Sequence, residues 1–346
     1  KNNSPDNKIY WKTRFQIIHY YIEMGRSSEV CKNQQDRLKK HSDDYMEWTA
    51  LIYAYYYAGD YEKAYEEFAK VPSGSTLKPS ALFRQARCAT NMDKKELAIK
   101  KYNRIVHSSV KSSIAPISEY NMANLMFEIQ DKGAKKHFKK IIKKYPTSDY
   151  AVASNYYLGL IEVSNPPKSE RGLKKSKNRA FIYFKNYLEE APDGRFALKT
   201  IDEIKKLGVQ LTNYDNLLIA KSYYANGEYT KAKDYLNKTT LAESWSDFAK
   251  NEYKLGNKEK ANYYAELGLK KHASNTPNAD VYEVIDNYIA SFPLRRDGII
   301  KLNSLGLNST GADYAAYLNC NEVVASNLKE ACYRTLYEKY PSGQFS

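Results

Sequence analysis

The chain has 346 residues and carries 54 lysines and arginines against 40 aspartates and glutamates, a formal net charge of +14. Its 33 tyrosines and 11 phenylalanines exclude an intrinsically disordered chain, because disordered proteins are poor in aromatic residues. No run approaches the ~20 apolar residues that a membrane-spanning helix needs, so we predict no transmembrane segment. Only 11 prolines and 15 glycines interrupt the chain, which favours long helices over a turn-rich β protein.

The N-terminal segment is polar and precedes the first predicted helices. It has neither a starting methionine nor the apolar core of a signal peptide. We therefore expect that a signal peptide or anchor has been removed, and that residues 1–7 form a disordered lead. After this lead, residues 12–24 and 28–40 are predicted to form a first pair of helices.

The first clear repeat begins in the next helix. Trp48, Leu51 and Tyr55 recur at the spacing of one helix face. Gly59 predicts a tight turn after this helix, and the small side chain of Ala64 would let the following helix approach it closely. These residue types at these offsets follow the tetratricopeptide pattern of about 34 residues, in which two helices form each repeat.

The pattern returns along the chain with one small residue at the centre of each second helix. These alanines are Ala64, Ala98, Ala134, Ala180, Ala232 and Ala261. Their intervals vary between 29 and 52 residues, so the array is irregular. Each repeat buries its apolar face only against its neighbours, which predicts a continuous stack.

Towards the C-terminus the repeat pattern fades but helical spacing continues. Four further amphipathic helices are predicted at 280–292, 295–305, 312–320 and 323–340. We find no β-rich stretch and predict an all-α fold, an α-solenoid or superhelix of irregular tetratricopeptide-like helix pairs. Gly208 marks a boundary that would divide it into stacks at 8–207 and 208–346.

A short motif recurs where one helix pair follows another. Proline ends a helix, a short polar residue caps the next helix, and an aromatic residue packs that helix down. The three copies span residues 145–151, 191–197 and 340–345. Because the third copy comes at the last residues of the sequence, we expect the chain to be truncated inside its array.

With these joints, residues 40–346 resemble the tetratricopeptide proteins of the bacterial cell envelope, which include outer-membrane assembly lipoproteins and Tol-Pal coordinating proteins. The length and irregular repeats look most like the superhelical domain of soluble lytic murein transglycosylases. This resemblance implies a location in the periplasm or cell envelope and a partner that is a protein, a peptide or peptidoglycan. In that family a separate lysozyme-like domain cleaves the glycan with one catalytic glutamate.

No catalytic group is predicted in this chain. Glu243-Ser244 matches the catalytic dipeptide of that lysozyme-like domain, but no glutamine precedes it and no Gly-Met-Gln follows. The five histidines are scattered, and no phosphate loop, dinucleotide motif or metal-ligand motif is present, so we expect no cofactor and no metal. The parent protein is therefore either a lytic transglycosylase or an assembly scaffold, outer-membrane or flagellar, without an enzymatic domain.

Two of the four cysteines lie close enough in sequence to suggest a disulfide. Cys320 and Cys332 are this pair, and the alternative is that both are small buried hydrophobic residues. Cysteine usage alone does not identify the redox compartment.

The first helices of such repeats line the inner face of a superhelix, where extended partners bind. By repeat offset, the candidate binding residues are Tyr53, Tyr56, Tyr57, Phe83, Arg87, Tyr156, Lys221, Tyr224, Lys250 and Tyr253. Tyrosines among cationic residues suit stacking and hydrogen bonding with polar ligands, including sugars. The alternative is that several of these tyrosines pack between repeats.

Two basic clusters account for much of the positive charge. One lies on a predicted helix and contains Lys132, Lys135, Lys136, Lys139, Lys140, Lys143 and Lys144. The other lies in a predicted loop, an insertion at 164–178, and contains Lys168, Arg171, Lys174, Lys175, Lys177 and Arg179. Both could attract anionic polymers or membrane surfaces, and the alternative is a solvated outer helix face and a flexible loop. We do not expect nucleic acid as a ligand, because the clusters do not recur once per repeat.

Overall fold

A computed structural model of the protein describes residues 5–41, 45–72, 78–108, 113–164, 166–240, 244–271, 278–305, 307, 309–323 and 326–339. These residues form 19 helices and no strand, and the molecule is 80% helical. The predicted all-α solenoid is therefore confirmed.

The chain divides into two compact units, residues 1–164 and residues 165–346. In the first unit each helix packs against the next one along the chain. Its helices are α1 (Pro5–Glu23), α2 (Ser27–Lys40), α3 (Tyr45–Tyr57), α4 (Tyr61–Ala69), α5 (Lys78–Asn91), α6 (Lys95–Ser108), α7 (Ala115–Glu128), α8 (Ala134–Lys144) and α9 (Asp149–Ser164). Helices two apart also touch, α1 with α3 and α7 with α9, as stacked pairs require.

The second unit follows the same rule. Its helices are α10 (Glu170–Glu190), α11 (Ala197–Leu207), α12 (Asn213–Ala225), α13 (Tyr229–Leu236), α14 (Trp245–Lys254), α15 (Lys258–Lys271), α16 (Asn278–Ala290), α17 (Arg295–Asn303), α18 (Ser309–Asn321) and α19 (Ser326–Lys339). Contacts between α10 and α12, α14 and α16, and α16 and α18 continue the stack within this unit. The four helices predicted beyond residue 275 correspond to α16, α17, α18 and α19.

The compact units divide elsewhere than at the sequence-based boundary between residues 207 and 208. Gly208 does break the chain locally, because its φ of 62° lies in the left-handed region and ends α11. However, α11 goes on to pack against α12. The glycine is therefore a helix end inside the second unit.

The prediction that residues 1–7 are disordered is wrong for the last three of them. Pro5, Asp6 and Asn7 already belong to α1, and residues 1–4 lie outside the described part of the chain. The physical reason is that proline suits the first position of a helix, where its missing N–H has no partner to lose.

The six alanines predicted at the centres of the second helices are buried. All six key alanines are at most 3% exposed, with Ala64, Ala98, Ala180 and Ala232 at 0%. Gly59, Gly227 and Gly256 occupy equivalent turns with φ between 77° and 82°, a conformation in which a Cβ would be strained. The turn that Gly59 predicts is thus present.

The polar cap of the recurring motif is present at the first copy but not at the second, where Phe196 itself precedes α11 and no side chain caps the helix. In the first, the backbone N–H of Ala151 donates to Ser148 Oγ at 3.2 Å and so caps α9. In the second, the Phe196 ring packs on Tyr187 with 6.0 Å between ring centres. The third copy, at 340–345, lies outside the described residues.

The last two helices are joined covalently. Cys320 near the end of α18 and Cys332 in α19 form a disulfide with 5.5 Å between their Cα atoms. The two cysteines are therefore a disulfide and not two separate buried hydrophobic residues. Within the described residues, no helix combines the length and the apolar character needed to cross a bilayer.

Candidate functional site

A cavity of about 450 Å³ opens between α1, α3, α4 and α5, and we call it the aromatic cavity. Its aromatic lining residues are Phe15, Trp48, Tyr53, Tyr56, Tyr57 and Phe68. Ile52, Val71 and Ala81 add aliphatic surface, and Thr49, Ser80 and Arg84 complete the lining. Its volume lies in the range of pockets that hold small ligands or anchoring side chains.

The rings of this cavity support one another. The Tyr53 ring centre lies 5.0 Å from that of Phe15 and 4.3 Å from that of Tyr57. Tyr57 is 43% exposed, so a large part of its surface is available to a ligand. Three of the predicted binding residues, Tyr53, Tyr56 and Tyr57, therefore meet at one cavity, as their spacing on a single helix face requires.

The rim of the aromatic cavity is cationic. Arg84 lines it, and the guanidinium carbon of Arg87 lies 5.5 Å from the centre of the Tyr56 ring. Burial raises the pKa of Tyr56, and the nearby charge of Arg87 only partly opposes this. Burial likewise raises the pKa of Tyr53. Both phenols are thus neutral at physiological pH and remain able to donate a hydrogen bond.

Two other predicted binding residues contact neighbouring aromatic rings. Phe83 is half-buried, and its ring contacts that of Tyr102 edge-on, with 5.7 Å between centres. Tyr156 is 8% exposed and packs against Tyr157. Phe83 thus packs within its own helix pair and Tyr156 beside its neighbour on α9, and a binding role for either residue stays a prediction.

In the second unit, Lys221, Tyr224 and Lys250 belong to a polar cluster that joins α12, α14 and α16. Lys250 is only 5% exposed, and its Nζ lies 3.7 Å from Asp247 and 3.9 Å from Glu283. Lys221 also approaches Asp247, at 3.6 Å.

Tyr224 completes this cluster. Its hydroxyl donates to Glu283, and burial together with that carboxylate raises its pKa. The cluster is thus largely satisfied internally, which indicates a structural contribution. Tyr253, the last of the predicted inner-face residues, is half-buried on α14.

Sequence reasoning missed a series of buried carboxylates paired with bases from neighbouring helices. The pairs are Glu47 with Arg14 and Arg37, Glu119 with His137 and Lys140, Glu162 with Lys135, Asp215 with Lys185, and Glu252 with Lys233. All five acids are at most 4% exposed. Their sequence signal is an acidic residue on the apolar face of a helix.

These pairs change the interpretation of the basic helix. Lys135 Nζ lies 2.6 Å from Glu162, and Lys140 Nζ lies 2.7 Å from Glu119. Burial alone would raise the pKa of Glu119, but the hydrogen bonds from His137 and Lys140 outweigh it and hold that pKa below its usual value. Part of the basic face of α8 therefore neutralises internal acids.

The second basic cluster is not in a loop, and the predicted loop at 164–178 is wrong. The helix α10 begins at Glu170, and the Ser169 side chain caps it by accepting the Gly172 N–H at 3.2 Å. Ser176, Ala180 and Phe184 are buried at four-residue spacing, so the helix pattern runs through the basic residues. The two prolines that suggested a loop stand before the cap.

The basic residues of this cluster therefore project from a helix. Lys168 precedes it, Arg171, Lys174, Lys175 and Arg179 are exposed along it, and Lys177 is half-buried. A groove of about 680 Å³ runs beside them, and we call it the α10 groove. It is lined by Glu170, Leu173, Lys174, Lys177, Asn178, Phe181, Ile182, Leu207, Gly208, Val209 and Gln210.

No candidate metal site emerges from the described residues. Nowhere in that part of the chain do three or more histidine, cysteine or acidic side chains gather to hold a metal ion. Glu243, the residue that matched the catalytic dipeptide, lies outside the described residues.

Comparison with known proteins identifies the repeats. Residues 80–111, 118–148 and 216–240 match the family model of the tetratricopeptide repeat. They correspond to α5–α6, α7–α8 and α12–α13, so the chain is a tetratricopeptide-like helical solenoid. Repeats of this type indicate a protein-interaction scaffold.

Two solved structures illustrate what the chain is similar to. A tetratricopeptide repeat protein from Parabacteroides merdae is 14% identical, with a TM-score of 0.39, over 80% of this chain and 98% of that one. The Naa15/Naa10 complex bound to HypK-THB contains a chain that is 14% identical, with a TM-score of 0.27, over 98% of this chain and 63% of that one. No curated protein sequence matches the chain.

Proposed function

We propose that this protein is an interaction scaffold of the bacterial cell envelope, and that it holds a partner protein by an apolar side chain inserted into the aromatic cavity. The observation that carries the proposal is the meeting of six aromatic residues around about 450 Å³ of space in the first unit. Binding energy at protein interfaces is concentrated where aromatic side chains enclose a desolvated pocket.

The chemistry of the aromatic cavity indicates the kind of peptide that would fit. Its walls are mainly rings and aliphatic side chains, so the anchoring side chain should be aromatic or large and aliphatic. Arg84 and Arg87 at the rim would attract acidic residues that flank this anchor. The rings already contact one another, so little conformational entropy would be lost on binding.

The test is to select peptides from a phage-displayed library on the wild-type protein and to measure their affinities for variants by calorimetry. Ser80→Trp should fill the cavity from its exposed edge and weaken binding at least about tenfold. Tyr57→Ala should also weaken binding by roughly tenfold, as loss of an aromatic contact residue does.

Ser164→Trp is the matched control, because it adds the same indole at an exposed residue at the end of α9. Selected peptides that bind Ser80→Trp as tightly as wild type would show that the aromatic cavity is not the binding site. The same conclusion would follow if the selected peptides had no apolar residue in common.

The disulfide supports the envelope location. Disulfides persist in oxidising compartments such as the periplasm and are rare in the cytosol. In cells of the native host, Cys320 and Cys332 should therefore resist alkylation unless a reductant is added. Free thiols at both positions in untreated cells would contradict this location.

A polymer ligand is the second candidate, because tyrosine faces also stack on sugar rings. The resemblance to the superhelical domain of lytic transglycosylases favours a polymer ligand. An assembly scaffold without an enzymatic domain would instead bind protein alone. In sedimentation with purified peptidoglycan, Tyr57→Ala should reduce the bound fraction and Tyr263→Ala, at a 61% exposed residue, should not. Equal retention of both variants would exclude the cavity as a glycan site.

A further inference from the structure

The α10 groove is a second surface with the properties of a docking site, and it lies outside the proposed use of the aromatic cavity. Six basic residues and one acid, Glu170, occupy positions 168–179. Arg171 and Lys174 are exposed, and among the described residues neither forms an ion pair with a carboxylate. This face therefore carries positive charge that the fold leaves available to a partner.

One lysine of the groove is held in place by the fold. Lys177 Nζ donates to the backbone oxygen of Leu207 at 2.9 Å and so caps the C-terminal end of α11. This bond connects the basic face of α10 to residues 207–210, which form the opposite wall. The groove is thus built by two elements that are tied together.

Apolar side chains are exposed along the same groove. Leu173 is 37% exposed and Ile182 is 55% exposed, and both are lining residues. They lie nine residues apart on α10, which corresponds to about 13 Å along a helix axis. Nine residues are about two and a half helical turns, so the two side chains flank the groove lining between them from opposite sides. A partner segment must span at least this distance, about nine residues of a helix or four of an extended chain.

We infer that the α10 groove binds an acidic amphipathic segment of a partner protein. Carboxylates of the segment pair with Lys174 and Arg171, and its apolar side chains cover Leu173 and Ile182. Charge complementarity selects an acidic segment over a neutral one. A bilayer takes apolar side chains that protrude, whereas Leu173 and Ile182 line a concavity, and this favours a peptide over a membrane surface.

The probe is a fluorescein-labelled synthetic peptide of about 14 residues, with leucines at helical spacing and glutamates between them. Its binding to the full chain is measured by fluorescence anisotropy at about 50 and about 300 mM salt. Affinity should fall as salt rises. Arg171→Glu with Lys174→Glu should weaken binding at least about fivefold at low salt, because attraction becomes repulsion.

Lys139→Glu with Lys143→Glu is the matched control, since it makes the same change of net charge at two exposed lysines of α8. This control should change the affinity less than about twofold. Ile182→Ser removes apolar contact without changing charge, and it should weaken binding at least about threefold. Circular dichroism of each variant verifies that the fold is retained.

Three results would overturn the proposal. Equal weakening by both charge-reversal pairs would show non-specific attraction to a basic protein. An unchanged affinity of Ile182→Ser would show that the apolar groove takes no part. Absence of peptide binding would exclude the acidic segment. If the protein then sedimented with vesicles of about 30% phosphatidylserine, the face would be assigned to membranes. Ser80→Trp should leave binding of this peptide unchanged, which separates the α10 groove from the aromatic cavity.

Discussion

At the scale of single residues, buried charge is the least expected feature of this protein. Glu47 is 3% exposed, and its Oε1 accepts hydrogen bonds from Arg14 at 2.6 Å and from Arg37 at 2.8 Å, while its Oε2 accepts a second one from Arg14 at 2.5 Å. Burial alone would raise the pKa of Glu47, but the two arginines more than offset it and lower that pKa to about 2. A carboxylate held in this way stabilises the fold only while it is ionised.

The pH dependence follows from the direction of this shift. The pKa of Glu47 is about 2 when folded and near 4.5 when unfolded, so the contribution is complete above about pH 4.5 and is lost as pH falls towards 2. The difference corresponds to roughly 3 kcal/mol of unfolding free energy. Glu47→Gln should destabilise the protein at pH 7 by about 3–5 kcal/mol, because two arginines lose their acid. It should also reduce the fall in unfolding free energy between about pH 4.5 and pH 2, as measured by urea unfolding.

Glu29→Gln serves as the control for this prediction. Glu29 pairs with Arg26 at 2.8 Å, but both side chains are nearly half exposed. Its replacement should change the unfolding free energy by less than about 1 kcal/mol at any pH. Equal effects of the two substitutions would mean that the Glu47 cluster is solvated.

The alanine positions allow a second residue-scale prediction. Ala64 is 0% exposed between α3 and α4, so Ala64→Leu should destabilise by roughly 1–3 kcal/mol through overpacking. Ala69→Leu, at an exposed residue of the same helix, should be nearly neutral. Chemical denaturation measures both, and a neutral Ala64→Leu would contradict the assigned repeat register.

At the scale of elements, α10 depends on how it begins. Gly172 has no room for a side chain, since a Cβ there would meet the Pro167 Cβ at 2.7 Å. The proline thus packs over the first turn while Ser169 caps it. Proline, cap and glycine together define where the helix starts.

Removing this cap should therefore be visible in hydrogen exchange. In Ser169→Ala, the amides of residues 171–173 should exchange faster, and stability should fall by about 1 kcal/mol. Ser169→Asp should restore protection, because aspartate is an equally good capping residue. Unchanged exchange in the alanine variant would mean that packing alone holds this turn.

How much of these elements the sequence could predict depends on the physical signal available. Alanine and aromatic spacing predicted the helix pairs, because periodicity reports burial directly. The start of α10 was missed because Pro166-Pro167 and a run of charge resemble a loop, and Ser169 is an inconspicuous cap. The buried acids were missed because a glutamate in a helix is normally exposed, and only tertiary contacts reveal its arginine or lysine.

The lining of the aromatic cavity was predicted in part for the same reason. Tyr53, Tyr56 and Tyr57 share one helix, so their common face followed from spacing alone. Phe83 and Tyr156 could not be assigned in this way, because neighbouring helices decide whether an aromatic ring faces solvent or packs inward. The aromatic cavity also needs Phe15 from α1, a contact across 38 residues that periodicity does not report.

At the scale of the whole molecule, helix is the dominant structure in both units. Far-UV circular dichroism should give a helix fraction near the 80% of the structure, since each described repeat is a pair of helices. A strand content above about a tenth would contradict the solenoid. The net charge of +14 predicts, in addition, that retention on a cation exchanger falls steeply with salt.

Four of the buried carboxylates take their base from a helix that lies earlier in the chain: Glu47, Glu162, Asp215 and Glu252. Each of these contacts therefore needs an acid on one helix and a base on the other. Repeats of this chain are consequently not interchangeable modules. Excising α7 and α8, for example, would leave the buried Glu162 without Lys135. The stability of the fold therefore depends on the order of the repeats.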